Sequence, residues 1–268
     1  LVALALGIGF AVGQSTGGGS TKLATAPAPL VTPQQINQAL SGNGLGLTTV
    51  NDRGFSQLEN GIQHSHGFPL PLTPAEQSLL SHQMVIAQQT ALRYPTLADA
   101  YGAGLHRAGP FEPGLGLHML DGANFTYAST TAVMSDSQIE HPLAWIYDGT
   151  HPNSRVAGLF YMSFVPNPGG FAGPNDVWHL HKNICLRGSD VPLGADGDVT
   201  QAQCAAVGGN LIPLSPYLLH VWVVPGYEDQ QGVFAHLNPA ITCNDGTYHV
   251  VNNNDIGSRI TTCVDGTE

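Results

Sequence analysis

Histidine placement carries the chemistry in this chain: His64 and His66, and again His179 and His181, form His-x-His pairs, while His118 and His220 each sit within an apolar run. Side chains alternate along a strand, so a His-x-His pair puts both imidazoles on one face about 7 Å apart, close enough to share an ion. Imidazole is the commonest metal ligand. The expectation is therefore one transition-metal ion held by a set drawn from His118, His179, His181, His220, His64 and His66. All-imidazole ligation suits copper or zinc, and carboxylates joining the shell would admit iron. His64 and His66 are the weaker pair, because the segment GIQHSHGFP reads as a loop whose histidines could simply be solvated.

The surrounding residues constrain each candidate. In VWHLHKNIC, alternation places His179, His181, Asn183 and Cys185 on one face, with Trp178, Leu180 and Ile184 on a core-facing one. In LLHVWVV both faces are apolar, so His220 needs a partner, since an unpaired buried imidazole costs about 1–3 kcal/mol. That partner could be a metal, a carboxylate such as Asp148, or a backbone carbonyl. The nearby acids Glu112, Asp121, Glu140 and Asp148 could support ligating rings, but ionised carboxylates favour solvent, and each reads first as a surface group.

Several chemistries are excluded. The chain has no His-Glu-x-x-His, no Gly-x-Ser-x-Gly elbow, no P-loop and no dinucleotide fingerprint. Paired His-x-His segments suggest multicopper oxidases, but the linking His-Cys-His is missing. With 8 Lys+Arg against 19 Asp+Glu and a formal net charge of −11, the surface would repel nucleic acid. No nucleic-acid partner is expected.

The elements that must position these rings are legible in part. Thr73, Pro74 and Glu76 mark a helix start with a capping box, and Leu80, Met84, Ala87 and Ala91 form one apolar stripe ending before Pro95. A short helix follows from Thr96, with Asp99 three residues on. The stretch AGPFEPGLG, Ala108 to Gly116, reads as irregular and would deliver His118 from a loop. Trp145 to Asp148, Arg155 to Val165, Val177 to Leu186 and Leu218 to Val224 then read as four strands of an antiparallel sheet. Asp198 with Gln201 would cap a helix carrying Cys204 and ending at Gly208-Gly209.

Residues 1–13 read as a signal peptide or a truncated membrane anchor, since Leu1 to Val12 is apolar but too short to span a bilayer. The anchor is the one membrane association considered. Residues 14–45 read as a flexible linker, 46–243 as a single globular domain, and 244–268 as a disulfide-tethered tail. The even, widely spaced cysteines fit an exported protein, with Cys185–Cys204 and Cys243–Cys263 favoured by loop closure.

The segments PFEPGLGLHM, DVWHLHKNICL and LLHVWVVPGYEDQQGVFAHLNP carry Gly-x-Gly-x-His, Trp-His-x-His-x-x-x-Cys and His-x-Trp-x-x-Pro-Gly motifs. In these the chain resembles a family of uncharacterised exported bacterial proteins, over roughly residues 50 to 243. The resemblance implies export to the envelope or beyond and one continuous domain, and it implies no activity. The fold expected is α+β: an antiparallel sheet of four or more strands, the N-terminal helix packed on one face, and long Gly/Pro-rich loops closing the other. Two functional readings stand. One is an exported metal-binding protein, with or without catalysis; the other is an envelope-associated binding module whose small-molecule pocket is lined by histidines and aromatics, with Tyr161, Trp178, Trp222 and Phe234 as walls and no metal.

Overall fold

The computed structural model describes residues 70–126, 132–165, 168–194, 199–229 and 232–243, together with the backbone of short strands at 47–50, 56–58, 249–253 and 258–262. The expected leader and linker, and the loop carrying His64 and His66, lie outside the described residues. In chain order the elements are β1 (Leu47–Val50), β2 (Ser56–Leu58), α1 (Pro74–Ala91), α2 (Leu97–Gly102), β3 (His106–Glu112) and β4 (Gly116–Leu120). They continue with α3 (Asp136–Ile139), β5 (Ala144–Tyr147), β6 (Val156–Ser163), β7 (Lys182–Leu186) and α4 (Gln201–Ala206). The last are β8 (Asn210–Leu214), β9 (Tyr217–Val221), β10 (His249–Asn253) and β11 (Ser258–Thr262).

The largest sheet is five-stranded and antiparallel in the order β3-β4-β5-β6-β9, and β1-β2, β7-β8 and β10-β11 form three separate two-stranded antiparallel pairs. The fold is α+β, as the residue patterns imply. Cross-strand register sets Met119 opposite Trp145, Trp145 opposite Leu159, and Leu159 opposite Val221, so these side chains share one face. Alternate residues, His118 opposite Ile146 and Phe160 opposite His220, share the other.

Helix α1 packs on the first face. Thr73 and Glu76 form the expected capping box, and Met84, Ala87 and Ala91 are buried. The aromatic side chains of the sheet tie their polar ends to the helical layer: the Trp145 indole donates to the Thr90 carbonyl at 2.9 Å, and the Tyr147 and Tyr161 hydroxyls donate to the carbonyls of Tyr94 and Ile139 at 2.7 and 2.8 Å. Gln83, buried on the same helix, donates to the Met134 carbonyl and accepts from the Ala172 amide, which fastens α1 to two loops. Helix α2 starts from a second capping box, Thr96 with Asp99.

Three expectations are corrected. Ala108 to Gly116 is not wholly irregular: β3 and β4 form a hairpin and His118 stands on a strand. Pro110 is tolerated because β3 is an edge strand whose register shifts between Ala108 and Glu112. The Gly-x-Gly-x-His motif is the turn of this hairpin. Gly116 has φ +78°, and a Cβ there would come within 2.6 Å of Ile146 and of the Tyr147 carbonyl, so only glycine lets β4 begin against β5.

Second, Val177 to Leu186 is not one strand of the central sheet. His179 makes an isolated bridge to Leu218, the chain turns through Asn183 at φ 54°, and β7 pairs instead with β8, a strand that sequence reading missed. The alternation inferred for this segment fails accordingly: Leu180 and His181 border the same cavity. Third, α4 is capped by Thr200 with Gln203 rather than from Asp198, which lies outside the described residues. Within the segment expected as a tethered tail, β10 pairs with β11.

Cys185 on β7 and Cys204 on α4 are disulfide-bonded. A Cβ on Gly209 would sit 2.4 Å from the Cys185 sulfur, so this glycine makes room for the bridge. Cys243 is also disulfide-bonded, and its expected partner Cys263 lies outside the described residues. Among the described residues no helix is long and apolar enough to cross a membrane.

Candidate metal centre

Five imidazoles gather on the sheet face opposite α1. His118 projects from β4 and His220 from β9, with β5 and β6 between them, and their Nε2 atoms lie 3.4 Å from one another. One ring must donate and the other accept across that contact. His179 arrives over the end of β9, held by reciprocal backbone hydrogen bonds with Leu218 of 2.9 and 2.8 Å. Its ring stacks on His220, with centroids 5.3 Å apart and planes 12° from parallel. His181 follows, its amide donating to the Ser215 hydroxyl and its ring 5.0 Å from that of His179.

The fifth ring is His236, which sequence reading did not single out. It comes from the loop after β9 and lies 4.2 Å from the His179 ring and 5.6 Å from that of His220, centroid to centroid. This loop is tightly held. The Trp222 amide and indole donate to the carbonyls of Val233 and Ala235, both at 2.8 Å. Buried Asn238 donates from its amide group to the Tyr227 carbonyl and from its main chain to the Gly114 carbonyl. The Asn238 contact ties the turn that starts β4 to the loop bearing His236, so ligand candidates distant in sequence share one scaffold.

His179, His220 and His236 are all buried, and each offers a ring nitrogen within 4.8 Å of the other two. Tetrahedral zinc, with Zn–N bonds of about 2.0–2.1 Å, holds its nitrogens about 3.4 Å apart, so the rings need draw in by roughly an ångström to close on an ion. One tautomer is already set. Nδ1 of His179 lies 3.3 Å from the Val177 carbonyl, which can only accept, so Nδ1 carries the proton and Nε2 presents its lone pair. His118 is pushed down to about 4 from the ordinary imidazole value by burial first and by the nearby His181 second, opposed by a hydrogen bond to the Gly116 backbone. It is neutral at physiological pH, the form a ligand or hydrogen-bond acceptor must take.

The acids considered alongside are placed elsewhere or otherwise engaged. Asp121 closes its own turn by accepting from the Ala123 and Asn124 amides. Asp148 accepts from the Arg155 amide at 2.7 Å and from the Tyr227 hydroxyl. Glu140 is exposed, and its main-chain carbonyl accepts from Arg93. Glu112 is the acid that borders the cavity beside the cluster.

That cavity, about 780 Å³, opens between the imidazole face of the sheet and the β7-β8 hairpin. His118, His181 and His220 form part of its wall. Its aromatic lining is Phe125, Phe160, Phe164 and Tyr217. The four aromatics expected as pocket walls are not among its lining: Tyr161, Trp178, Trp222 and Phe234 are packed in the core, where Trp178 donates to Asp176 and Phe234 lies against Phe171.

The arrangement defines an α+β sheet protein with a buried histidine cluster beside an apolar cavity. No protein-family model matches this chain, and comparison with curated proteins and with solved structures returns no match.

Proposed function

We propose that this chain is an exported metal-binding protein that holds one transition-metal ion, copper or zinc, through His179, His220 and His236, with His118 and His181 next to it. The observation that supports this reading is the burial of three imidazoles whose ring nitrogens lie within 4.8 Å of one another. Burying three polar rings against one another gains little by packing, whereas an ion bonded to all three offsets their desolvation. The donor set, nitrogen without carboxylate, is the one that borderline ions such as copper and zinc favour. The Cys185–Cys204 disulfide is consistent with an oxidising compartment, and the resemblance to exported bacterial proteins agrees.

Metal content of untagged protein, measured by inductively coupled plasma mass spectrometry, tests the reading. Near one equivalent of copper or zinc is expected in the wild-type chain, and less than a tenth of that in a His179→Ala/His236→Ala variant whose far-ultraviolet circular dichroism is unchanged. Wild-type protein that stays far below one equivalent after incubation with each ion would overturn it.

A further inference from the structure

The cavity beside the cluster shares one proposed ligand with it, His220, and most of its remaining wall is apolar. Its walls come from both sheets: Leu120, Met162 and Leu218 from the central one, Ile184, Ile212 and Leu214 from the β7-β8 hairpin. At about 780 Å³ it falls in the size range of small-molecule sites, which are mostly apolar with a few placed polar groups. Some of its polar lining lies apart from the cluster, as His106 paired with Ser189 and as Glu112, and the rest is grouped. His118, His181 and His220 stand together where the cavity meets the metal cluster, and Ser215, which anchors His181, is beside them.

Charge narrows the ligand further. No Lys or Arg is among the residues lining the cavity, one carboxylate, that of Glu112, is, and the whole chain carries a net charge of −11. An anion would find no counter-charge in the walls and would be repelled by the field of the protein. An apolar wall in which His118, His181 and His220 stand together instead fits a molecule that is apolar over most of its length and carries an uncharged hydroxyl.

We propose that this cavity binds such a molecule: an uncharged, drug-sized, largely apolar organic compound whose one polar group, a hydroxyl, hydrogen-bonds His118, adjacent to the ion of the proposed metal centre. Binding in the cavity does not rest on the metal reading; the position of the polar group next to an ion does. One nitrogen of His118 bonds the Gly116 backbone, so the contact is made at Nε2, where a hydroxyl of the ligand takes the place of the long 3.4 Å contact with His220 in the cavity wall.

Two uncharged probes test it on the full chain, with and without bound metal. Nile red should bind saturably at one per chain with a blue-shifted emission, and Met162→Trp, which fills the cavity from β6, should weaken that binding at least tenfold while leaving metal content and the unfolding midpoint within error of wild type. The second probe pair is 1-naphthol and naphthalene, titrated by competition. The alcohol should bind about tenfold more tightly, and His118→Phe should remove that preference without weakening naphthalene. His179→Ala/His236→Ala should lose metal yet keep Nile red, so failure of the metal centre and failure of the cavity are read separately. Absence of saturable one-to-one dye binding, an unchanged affinity in Met162→Trp, or equal affinities for the alcohol and the hydrocarbon in wild type would each overturn the proposal.

Discussion

The two faces of the central sheet are made by alternate residues of the same strands, and they are built on opposite physical terms. On the α1 face, Leu117, Met119, Trp145, Leu159 and Val221 are almost wholly buried against helix and loop, and the polar ends of the aromatic side chains each meet a named carbonyl. Burial there removes hydrocarbon from water at about 25 cal/mol per Å², the dominant favourable term in folding. On the opposite face the same register presents His118, Phe160 and His220, joined by His179, His181 and His236 from outside the sheet. Clustered imidazoles contribute less hydrophobic gain and carry a desolvation cost. One face stabilises the fold, and the other is held in place by it; a substitution on each should therefore separate stability from metal binding.

The largest effect belongs to the helix face. Trp145→Ala removes the biggest fully buried side chain of the sheet together with its hydrogen bond to Thr90, and should destabilise the protein by about 3–5 kcal/mol in urea unfolding. Protein that remains folded should still bind metal at one equivalent, because this side chain stands on the sheet face alternate to that of His118 and His220. Loss of metal from folded Trp145→Ala protein would show that the two faces are not separable.

Next is the staple on the cavity side. Cys185→Ser/Cys204→Ser opens a link with a sequence separation of 19 residues, worth about 3 kcal/mol in the chain-entropy model. Unlike Trp145→Ala, it should also act locally, because β7 carries Ile184 and Leu186 into the cavity wall. Hydrogen exchange should rise in the β7-β8 amides first and leave those of β5 and β6 protected. Uniform loss of protection would mean the hairpin and the central sheet unfold together.

A smaller effect separates ion from scaffold. At a free metal concentration of about a hundred times Kd, an ion bound only by the native state adds about 2.7 kcal/mol. Unfolding of wild-type protein should therefore weaken by that amount on adding a chelator, and His236→Ala should show no such difference while matching the metal-free wild type to within about 1 kcal/mol. A chelator effect that persists in His236→Ala would place the ion elsewhere.

Which of these parts could be read from the chain alone follows from how local their signals are. Helices α1 and α2 announce themselves through capping boxes at Thr73-Glu76 and Thr96-Asp99, and β5, β6 and β9 through short runs rich in apolar, β-branched and aromatic residues, since each signal is complete within a few residues. The β3-β4 hairpin was hidden by Gly109, Pro110 and Pro113, residues that break a strand on average but are accommodated at an edge with shifted register. Strand β8 was hidden likewise by Pro213. The site shows the same division. His118, His179, His181 and His220 stand in apolar or His-x-His contexts that draw attention, and the structure brings all four together. His236 has no second histidine nearby, and its one signal was its place between Gly232-x-Phe234 and Asn238-Pro239, a segment whose rigidity comes from Trp222 and Gly114, remote in sequence.

The smallest expected effect tests the positioning helix itself. Thr73 accepts from the Glu76 amide while Glu76 accepts from the Thr73 amide at 2.7 Å, and both groups are exposed, so Thr73→Ala exposes one helix amide to solvent rather than burying it unpaired. The cost should be about 1 kcal/mol, read as a lower urea midpoint at unchanged slope. Because α1 reaches the sheet through Met84, Ala87 and the Thr90 carbonyl, well inside the helix, fraying of its first turn should leave that layer intact. Metal content and Nile red affinity should accordingly match wild type. A change in either would mean that strain at the helix start crosses the sheet to the imidazole face, and that the two faces share more than their strands.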